Sequence, residues 1–281
     1  MTRAGVLILA GVLVAAGVAA ARPVQSRIVD AQFHSKAIDA TLHYEVYLPA
    51  DYATSAKAYP VIYFLHGLPA GAIAYQSFGF VERALDQTGD DAILVIPQGA
   101  RYNEPDPEYV DHAKGDRWET AIGTELPAIV DDRFRTLATR NGRAIIGLSA
   151  GGFGAMHIGI ADLRRYGVIE SWSGYFHPTD PSGTQPLDVG SSAQNERASA
   201  HALLPSVHAA LRVHPTFIAF YVGAADTRFA RENAVLDREL TQAKIPHLYR
   251  VYTGGHEQSL WQAQAPHWLA LALGRLEAPR Q

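Results

Sequence analysis

One serine in this sequence lies in a setting that could make it a nucleophile. Ser149 is the centre of a Gly-x-Ser-x-Gly pentapeptide that runs from Gly147 to Gly151, after a short apolar run and before residues with helical spacing. In such a strand–turn–helix, the serine occupies a strained turn and the glycines leave room for the backbone around it. The turn would expose the hydroxyl and direct the amide of Ala150 towards a developing oxyanion. The pattern predicts acyl chemistry; the alternative is a tight turn with an incidental serine.

A serine hydroxyl needs a base, and the base needs an acid that orients it; after a serine of this kind, the acid comes next in the chain and the histidine last. Asp226 is the first acidic residue after the apolar run at 217–222. His256 lies shortly after the next such run, at 248–252. We therefore predict Asp226 as the acid and His256 as the base. Glu232 is the alternative acid, and capping a helix is the alternative role for Asp226.

Three other histidines fit structural positions better than catalytic ones. His66 precedes the serine, which is the wrong order for this arrangement, so we expect it to support its own loop. His247 and His267 are expected to pack, partly exposed, near the start of a strand and in a helix. The loop that begins at His66 follows an apolar run, and the amide of Leu68 in that loop is the predicted second oxyanion donor.

The segments around these residues alternate between strand length and helix length. The candidate strands are 42–48, 61–65, 92–96, 144–146, 168–172, 217–222 and 248–252. Several of them are continuously apolar, which is typical of strands buried on both faces of a parallel sheet. Helical spacing at 229–243 and a closing helical segment at 267–276 complete the pattern. It predicts an α/β fold with a mostly parallel sheet covered by helices.

Two polar stretches interrupt this alternation. Residues 98–117 contain two prolines, and residues 175–215 are rich in Pro, Ser, Gly and His. Long insertions between sheet elements are often functional. We expect both stretches to shape a substrate pocket, the second as a lid-like insertion. Trp118 and Trp261 could line that pocket, although a buried tryptophan is more commonly part of a core.

The composition limits the kinds of function. The chain has 281 residues, 24 basic and 28 acidic side chains, and a net charge of −4. It has no basic footprint, so nucleic acid is not an expected partner. The absence of cysteine excludes disulfides, thiolate metal sites and a cysteine nucleophile. No His-Glu-x-x-His motif or closely spaced ligand set occurs, so neither a metal nor a cofactor is expected.

The first 21 residues have the composition of an export signal. Arg3 is the only charge among them, and residues 4–21 are all Ala, Val, Leu, Ile or Gly. A basic start, an apolar stretch and a small-x-small site at residues 19–21 predict a secretory signal peptide. The alternatives are an uncleaved membrane anchor and a buried helix. We expect residues 22–281 to form a single domain that is secreted or held at the cell envelope.

Several short motifs occur together in this sequence. They are Phe64-Leu-His-Gly67, Trp118-Glu-Thr with Glu125-Leu-Pro127, Gly147-Leu-Ser-Ala-Gly-Gly-Phe-Gly154, Gly223 with Asp226, and Gly255-His256. This combination resembles the esterase D family of α/β-hydrolases, which includes feruloyl-type esterases and the secreted mycolyltransferases of mycobacteria. The resemblance covers about residues 42–276. It implies an α/β-hydrolase fold, Ser149 as nucleophile, Asp226 as acid, His256 as base, and the amides of Leu68 and Ala150 as the oxyanion hole.

The details of the resemblance favour an esterase. The Trp118 stretch and the pair His256…Trp261 look like the mycolyltransferases. His66, the Gly151–Gly152 pair and an aspartate at position 226 look like ordinary esterases. The predicted function is a secreted serine esterase that hydrolyses small-molecule or lipid esters through an acyl-enzyme. The alternatives are an acyltransferase acting on cell-envelope lipids and a non-catalytic, envelope-binding relative.

Overall fold

The centre of the fold is an eight-stranded, mostly parallel sheet. The computed structural model describes residues 27–102, 104, 107–180 and 185–281, and the predicted export signal, residues 1–21, lies outside them. The strands are β1 (Arg27–Ser35), β2 (Ala40–Leu48), β3 (Val61–Leu65), β4 (Ile93–Pro97), β5 (Asp111–Ala113), β6 (Asp116–Arg117), β7 (Arg143–Leu148), β8 (Val168–Trp172), β9 (Phe217–Gly223) and β10 (Leu248–Tyr252). The order in the main sheet is β1-β2-β4-β3-β7-β8-β9-β10, and β5 pairs with β6 in a separate hairpin. In the main sheet, β2 is antiparallel to both of its neighbours, β1 and β4. The remaining pairs of adjacent strands in this sheet are parallel.

Helices cover both faces of this sheet. They are α1 (Gly79–Thr88), α2 (Trp118–Thr120), α3 (Leu126–Arg133), α4 (Ala150–Ala161), α5 (Ser192–Arg197), α6 (Ala200–Val213), α7 (Ala230–Gln242) and α8 (Gln258–Leu273). A π-helical turn, Ala121–Glu125, joins α2 to α3. Within the described residues, no helix has the length and apolar character needed to cross a membrane.

Successive residues of each central strand pack on opposite faces of the sheet. In β3, Val61, Tyr63 and Leu65 belong to the core cluster shared with α3, α4, α6 and α7, whereas Ile62 and Phe64 belong to the cluster shared with α1 and α8. All five residues are completely buried. A strand covered on both faces needs apolar residues at every position, which explains the continuous apolar runs in the sequence.

The predicted α/β class is confirmed, and the predicted strands agree with the structure to within two residues at each end. Strand β1 was not predicted, because as an edge strand its exposed and less exposed residues alternate. Helix α7 matches the prediction to within one residue at each end. The closing helix is displaced: it spans Gln258–Leu273 rather than 267–276 and contains Pro266. Pro266 thus lies inside the helix, where a proline removes one backbone hydrogen bond.

The two polar stretches contain regular structure. Residues 98–117 include the β5–β6 hairpin, and residues 175–215 include α5 and α6. Helix α6 buries Ala200, Leu204 and Val207 in the larger core cluster. The described part of the second stretch is therefore anchored to the core through α6.

Candidate active site

Ser149 occupies the turn between β7 and α4. Its backbone has φ 57° and ψ −119°, a region that non-glycine residues rarely adopt. A Cβ atom at Gly147 would lie 1.9 Å from the carbonyl oxygen of Gly151, and one at Gly151 would lie 1.9 Å from the carbonyl oxygen of Leu65. Both flanking positions therefore require glycine. The packed backbone holds the strained serine at the carboxyl end of β7.

The structure brings His256 and Asp226 to this serine. The Nε2 atom of His256 lies 2.9 Å from the Oγ of Ser149, and its Nδ1 atom lies 2.9 Å from the Oδ2 of Asp226. The side chain of Asp226 is completely buried, and that of His256 is 10% exposed. Serine, histidine and aspartate thus form a continuous hydrogen-bonded chain with the histidine in the middle.

Asp226 is held from two sides. Its Oδ1 atom accepts hydrogen bonds from the amides of Arg228 and Phe229, each at 3.1 Å. Burial alone would raise the pKa of this carboxyl group, but the hydrogen bond and charge of His256 and the two amides outweigh burial, so the pKa is lowered. The ionised carboxylate can only accept, so Nδ1 of His256 donates to it. The lone pair of Nε2 then faces the Ser149 hydroxyl.

The loops that carry the acid and the base are joined through their backbones. The amide of Ala224 donates to the carbonyl of Tyr252 at 2.7 Å, and the amide of Ala225 donates to the carbonyl of Gly254 at 2.8 Å. The Cα of Gly223 packs so closely against the second loop that a Cβ there would lie 2.4 Å from the oxygen of Gly254. These contacts fix the separation of Asp226 and His256.

The two predicted oxyanion donors belong to segments that adjoin the serine. Ala150 is the first residue of α4, so its amide has no carbonyl acceptor within the helix. Leu68 borders the same cavity as Ser149 and packs against the apolar cluster that contains Ala150. A Cβ at Gly67 would lie 3.0 Å from the Cβ of Ser149, so the loop of Leu68 passes directly over the serine.

The other histidines lie where packing places them. His66 is completely buried, its Nδ1 donates to the carbonyl of Gly67 at 2.9 Å, and burial lowers its pKa to about 4, so it is neutral. Tyr109 donates to the His66 carbonyl, which ties the loop down further. His247 pairs with Asp237 at 3.0 Å, and His267 is exposed on α8. None of these three contacts Ser149 in the structure.

A cavity of about 680 Å³ opens beside Ser149 and His256. Its other lining residues are Leu68, Pro69, Ala70, Gly71, Glu104, Tyr175, Arg228, Phe229 and Trp261. Three aromatic rings and the 68–70 segment make the wall largely apolar, while Glu104 and Arg228 add one charge of each sign. A cavity of this kind can hold an uncharged, partly aromatic group against the serine.

The two predicted pocket tryptophans have different positions. Trp261 borders the cavity; its ring meets that of His256 edge-on at 4.9 Å between centroids, and its Nε1 donates to the Oγ of Ser173 at 3.0 Å. Trp118 does not line the cavity. Its side chain is completely buried in the larger core cluster, because it begins a helical segment that also buries Ala121 and Ile122. The prediction for Trp118 is therefore corrected to a core residue.

Glu232, the alternative acid, lies elsewhere. Its Oε1 accepts from the amide of Phe176 at 2.7 Å and lies 2.6 Å from the Nδ1 of His177 and 3.4 Å from the Nε2 of His201. Burial would raise its pKa, but hydrogen bonds from the two histidines outweigh burial and lower the pKa to about 2. Asp226, not Glu232, is the carboxylate that contacts His256.

Sequence reasoning did not single out two aromatic residues of the cavity wall. Tyr175 stacks on Phe153 at 5.2 Å and contacts Phe229 at 4.9 Å between ring centroids, and its hydroxyl donates to Glu108. Phe229 also meets the ring of His256 edge-on. The available signal was their position: Tyr175 begins the second polar stretch, and Phe229 follows the predicted acid by three residues.

Comparison with known proteins identifies the family and the fold. The family described as "Putative esterase" matches residues 35–270. Esterase Rv1288 of Mycobacterium tuberculosis is 33% identical over an alignment of 162 residues that covers 50% of this chain and 34% of that protein. This match therefore spans about a third of the length of the relative.

Two solved structures have the same fold. A ferulic acid esterase has a TM-score of 0.77 at 24% identity and covers 90% of this chain and 99% of its own. The S-formylglutathione hydrolase FrmB from Staphylococcus aureus has a TM-score of 0.73 at 18% identity and covers 89% of this chain and 99% of its own. Because the family match extends over most of the sequence and the fold agrees with it, this chain belongs to the esterase D-like family of α/β-hydrolases.

Proposed function

We propose that this protein is a serine esterase that hydrolyses carboxylic esters through Ser149, His256 and Asp226. The observation that carries the proposal is the pair of 2.9 Å contacts that His256 makes, with the Ser149 hydroxyl through Nε2 and with Asp226 through Nδ1. These are the contacts needed for a base that is oriented by an acid.

In the first half of the reaction, Nε2 of His256 takes the proton of Ser149 as its oxygen attacks the ester carbonyl. The buried carboxylate of Asp226 stabilises the imidazolium that forms. The amides of Leu68 and Ala150 stabilise the oxyanion of the tetrahedral intermediate. His256 then donates its proton to the leaving alcohol, and an acyl-enzyme on Ser149 remains.

In the second half, His256 takes a proton from a water molecule, which attacks the acyl carbonyl and forms a second tetrahedral intermediate. The imidazolium returns the proton to the oxygen of Ser149 as the carboxylic acid leaves. Every step uses groups of this chain and water.

The cavity wall supports a substrate class. Tyr175, Phe229 and Trp261 offer aromatic surface beside the serine, which suits an aryl or short apolar acyl group. A ferulic acid esterase has the same fold. We infer that esters with an aryl acyl group are preferred to those with an aliphatic one, because three aromatic rings line the cavity beside the serine.

We further propose that residues 1–21 direct export, with the mature enzyme secreted or retained at the cell envelope. The composition of that segment supports this proposal. Amino-terminal sequencing of the exported protein tests it: a first residue at Arg22 is the expected result, whereas an intact Met1 on exported protein would identify an uncleaved anchor.

The test of the catalytic proposal combines labelling with hydrolysis. A fluorophosphonate probe is expected to label the wild type once, at Ser149, and Ser149→Ala is expected to lose both labelling and the hydrolysis of p-nitrophenyl esters. Ser206→Ala is the matched control, since Ser206 is an exposed serine on α6. Undiminished hydrolysis in Ser149→Ala would exclude this serine as the nucleophile.

Product analysis separates hydrolysis from acyl transfer. With an aryl ester and an added sugar or glycerol acceptor, we expect free acid as the main product. Predominant acylation of the acceptor would replace the proposal with an acyltransferase that uses the same three residues.

A further inference from the structure

A second group of polar side chains lies away from Ser149, where the chain after β8 and helix α6 meet α7. His177 follows Tyr175 and Phe176, His201 lies in the first turn of α6, and Glu232 lies in the first turn of α7. One ligand-capable atom from each of these three residues lies within 4.8 Å of the other two. We call these residues the His177–His201–Glu232 cluster.

The donor atoms converge on one carboxylate oxygen. Oε1 of Glu232 lies 2.6 Å from Nδ1 of His177 and 3.4 Å from Nε2 of His201. A tetrahedral metal ion bound at about 2.0–2.2 Å holds its donor atoms about 3.3–3.6 Å apart, so the contact of His201 already has a suitable length and that of His177 must lengthen by about 1 Å. Small movements of the two rings would therefore suffice to admit an ion.

Glu239 orients one of the two rings. Its Oε2 lies 2.5 Å from the Nδ1 of His201, on the side of the ring opposite the cluster. A carboxylate accepts hydrogen bonds, so Glu239 keeps a proton on Nδ1, and Nε2 is the nitrogen that would exchange its proton for the ion. A histidine that binds a metal through one nitrogen and donates to a carboxylate through the other is the usual arrangement in protein metal sites.

We propose that the His177–His201–Glu232 cluster is a binding site for one divalent transition-metal ion, with Zn²⁺ as the preferred ion. Two imidazole nitrogens and one carboxylate oxygen are a ligand set that Zn²⁺ favours, whereas Ca²⁺ and Mg²⁺ favour oxygen ligands. The side chain of His177 is 41% exposed, so an ion can enter from solvent and a water molecule can complete the coordination.

The ion would join three segments, two of which adjoin the proposed catalytic residues. Glu232 already accepts from the amide of Phe176, the residue next to Tyr175 of the cavity wall. Helix α7, which carries Glu232, begins four residues after Asp226. Metal binding therefore holds His177 and the start of α6 against α7 and stabilises the cavity wall, while the ion itself does not contact the proposed catalytic residues.

The test uses the untagged full chain, freed of metal by a chelator and titrated with Zn²⁺ against a chromogenic competitor. One ion per chain is expected, together with a rise in Tm, because a ligand that binds only the folded state stabilises it. His201→Ala and Glu232→Gln are expected to lower the affinity for Zn²⁺ by about 100-fold or more. Glu239→Gln is expected to lower it by about 10- to 100-fold.

His208→Ala is the matched control, since His208 is an exposed histidine on the same helix, and it is expected to bind Zn²⁺ like the wild type. X-ray absorption of the zinc-loaded wild type gives a readout that does not depend on variants that fold. Two imidazole nitrogens and a carboxylate oxygen are expected at about 2.0–2.2 Å. The absence of saturable 1:1 binding to the wild type, a shell with fewer than two imidazoles, or unchanged affinity in folded His201→Ala would each overturn the proposal.

Discussion

At the scale of single residues, Asp226 uses its two carboxylate oxygens differently. Oδ2 contacts the imidazole of His256, and Oδ1 accepts two amides of its own turn. The N-cap residue of α7 is Phe229, so Asp226 does not cap the helix as the alternative interpretation expected; its second role is to order the turn before α7. The hydrogen bonds from these two amides hold the carboxylate in place independently of His256.

Asp226→Asn should separate these two roles. An asparagine oxygen at the Oδ1 position still accepts the two backbone hydrogen bonds. The NH₂ group of the asparagine then faces Nδ1 of His256 and favours the tautomer that has its proton on Nε2. We expect kcat to fall by about 10³- to 10⁴-fold, with little change in the unfolding free energy. Steady-state kinetics and urea denaturation measure the two effects.

The control is Asp237→Asn, because Asp237 pairs with His247 in a similar contact outside the cavity. Its kcat should remain that of the wild type. If Asp226→Asn retained more than a tenth of wild-type kcat, Asp226 would not be the orienting acid.

The positions of Ser149, Asp226 and His256 could be predicted because each follows a recognisable strand in the required chain order. Trp118 could not be placed in this way. Whether a tryptophan faces a cavity or a core depends on which side of its helix meets the sheet, and the short α2 segment offers too few residues to show a periodicity. The charges of Glu104 and Arg228 at the cavity were likewise invisible, since distant segments bring them together.

At the scale of elements, the position of the base depends on the close contact of two loops, those after β9 and β10. Gly223 ends β9, and the loop that carries His256 packs on its Cα. The atoms that a side chain at position 223 would meet first are backbone oxygens, which cannot move without displacing the whole loop.

Gly223→Ala should therefore move His256 away from Ser149. A new Cβ would lie 2.4 Å from the oxygen of Gly254 and 2.7 Å from that of Gly255. We expect a loss of about 1–3 kcal/mol in unfolding free energy and a fall in kcat of about 10- to 100-fold, because catalysis is sensitive to displacements near 1 Å. Denaturant titration and p-nitrophenyl ester kinetics measure both.

Gly79→Ala is the control, since the nearest atom to its new Cβ is the end of the flexible Arg83 side chain at 3.4 Å. It should affect neither quantity by a comparable amount. Wild-type kcat in Gly223→Ala would show that the two loops adapt independently of the catalytic geometry.

The parallel strands could be predicted because burial on both faces leaves a continuous apolar run. A search for continuous apolar runs does not detect β1, because its side chains alternate between solvent and the core. The same search does not detect α1, which buries one face that consists of Phe80, Val81, Ala84 and Leu85. Elements whose burial is one-sided need a test of periodicity rather than of continuous hydrophobicity.

At the scale of the whole molecule, the core contains a titratable group that the proposed reaction does not use. Glu170 of β8 is completely buried, where its two oxygens accept from Trp172 Nε1 and the Tyr221 hydroxyl at 3.1 and 3.2 Å. Burial raises its pKa from 4.5 to about 8, and the two hydrogen bonds only partly oppose that rise. At neutral pH the folded protein therefore holds this carboxyl group mainly in its protonated form.

The sign of the pH dependence follows from this shift. Between pH 4.5 and 8 the folded state binds a proton that the unfolded state has released, so stability falls as the pH rises, by up to about 1.4 kcal/mol per pH unit. Glu170→Gln lacks the titrating proton. We expect its unfolding free energy, relative to that of the wild type, to increase steadily from pH 5.5 to 7.5 in urea denaturation.

Glu196→Gln removes an exposed carboxylate on α5 and should keep the wild-type slope. Parallel pH profiles for the wild type and Glu170→Gln would mean that Glu170 is ionised in the folded protein.

The tertiary packing of distant segments also explains why the proposed metal site could not be predicted from the sequence. Its three ligands are separated by 24 and 31 residues and belong to three different elements. A search for closely spaced ligands, which led us to expect no metal, tests only sites built on one helix or one hairpin. Here the pairing of α6 with α7 creates the proximity.

The strand that precedes the base has one further consequence. Among the strands that the structure describes, β10 is the last at one edge of the sheet; it pairs with β9 alone and has no completely buried residue. Elements with so little buried surface open at a lower free energy than the rest of a fold. Fraying of this edge would carry His256 away while β7, Ser149 and the core remain in place. We therefore expect the proposed activity to be lost at a lower temperature than the one at which the whole fold melts.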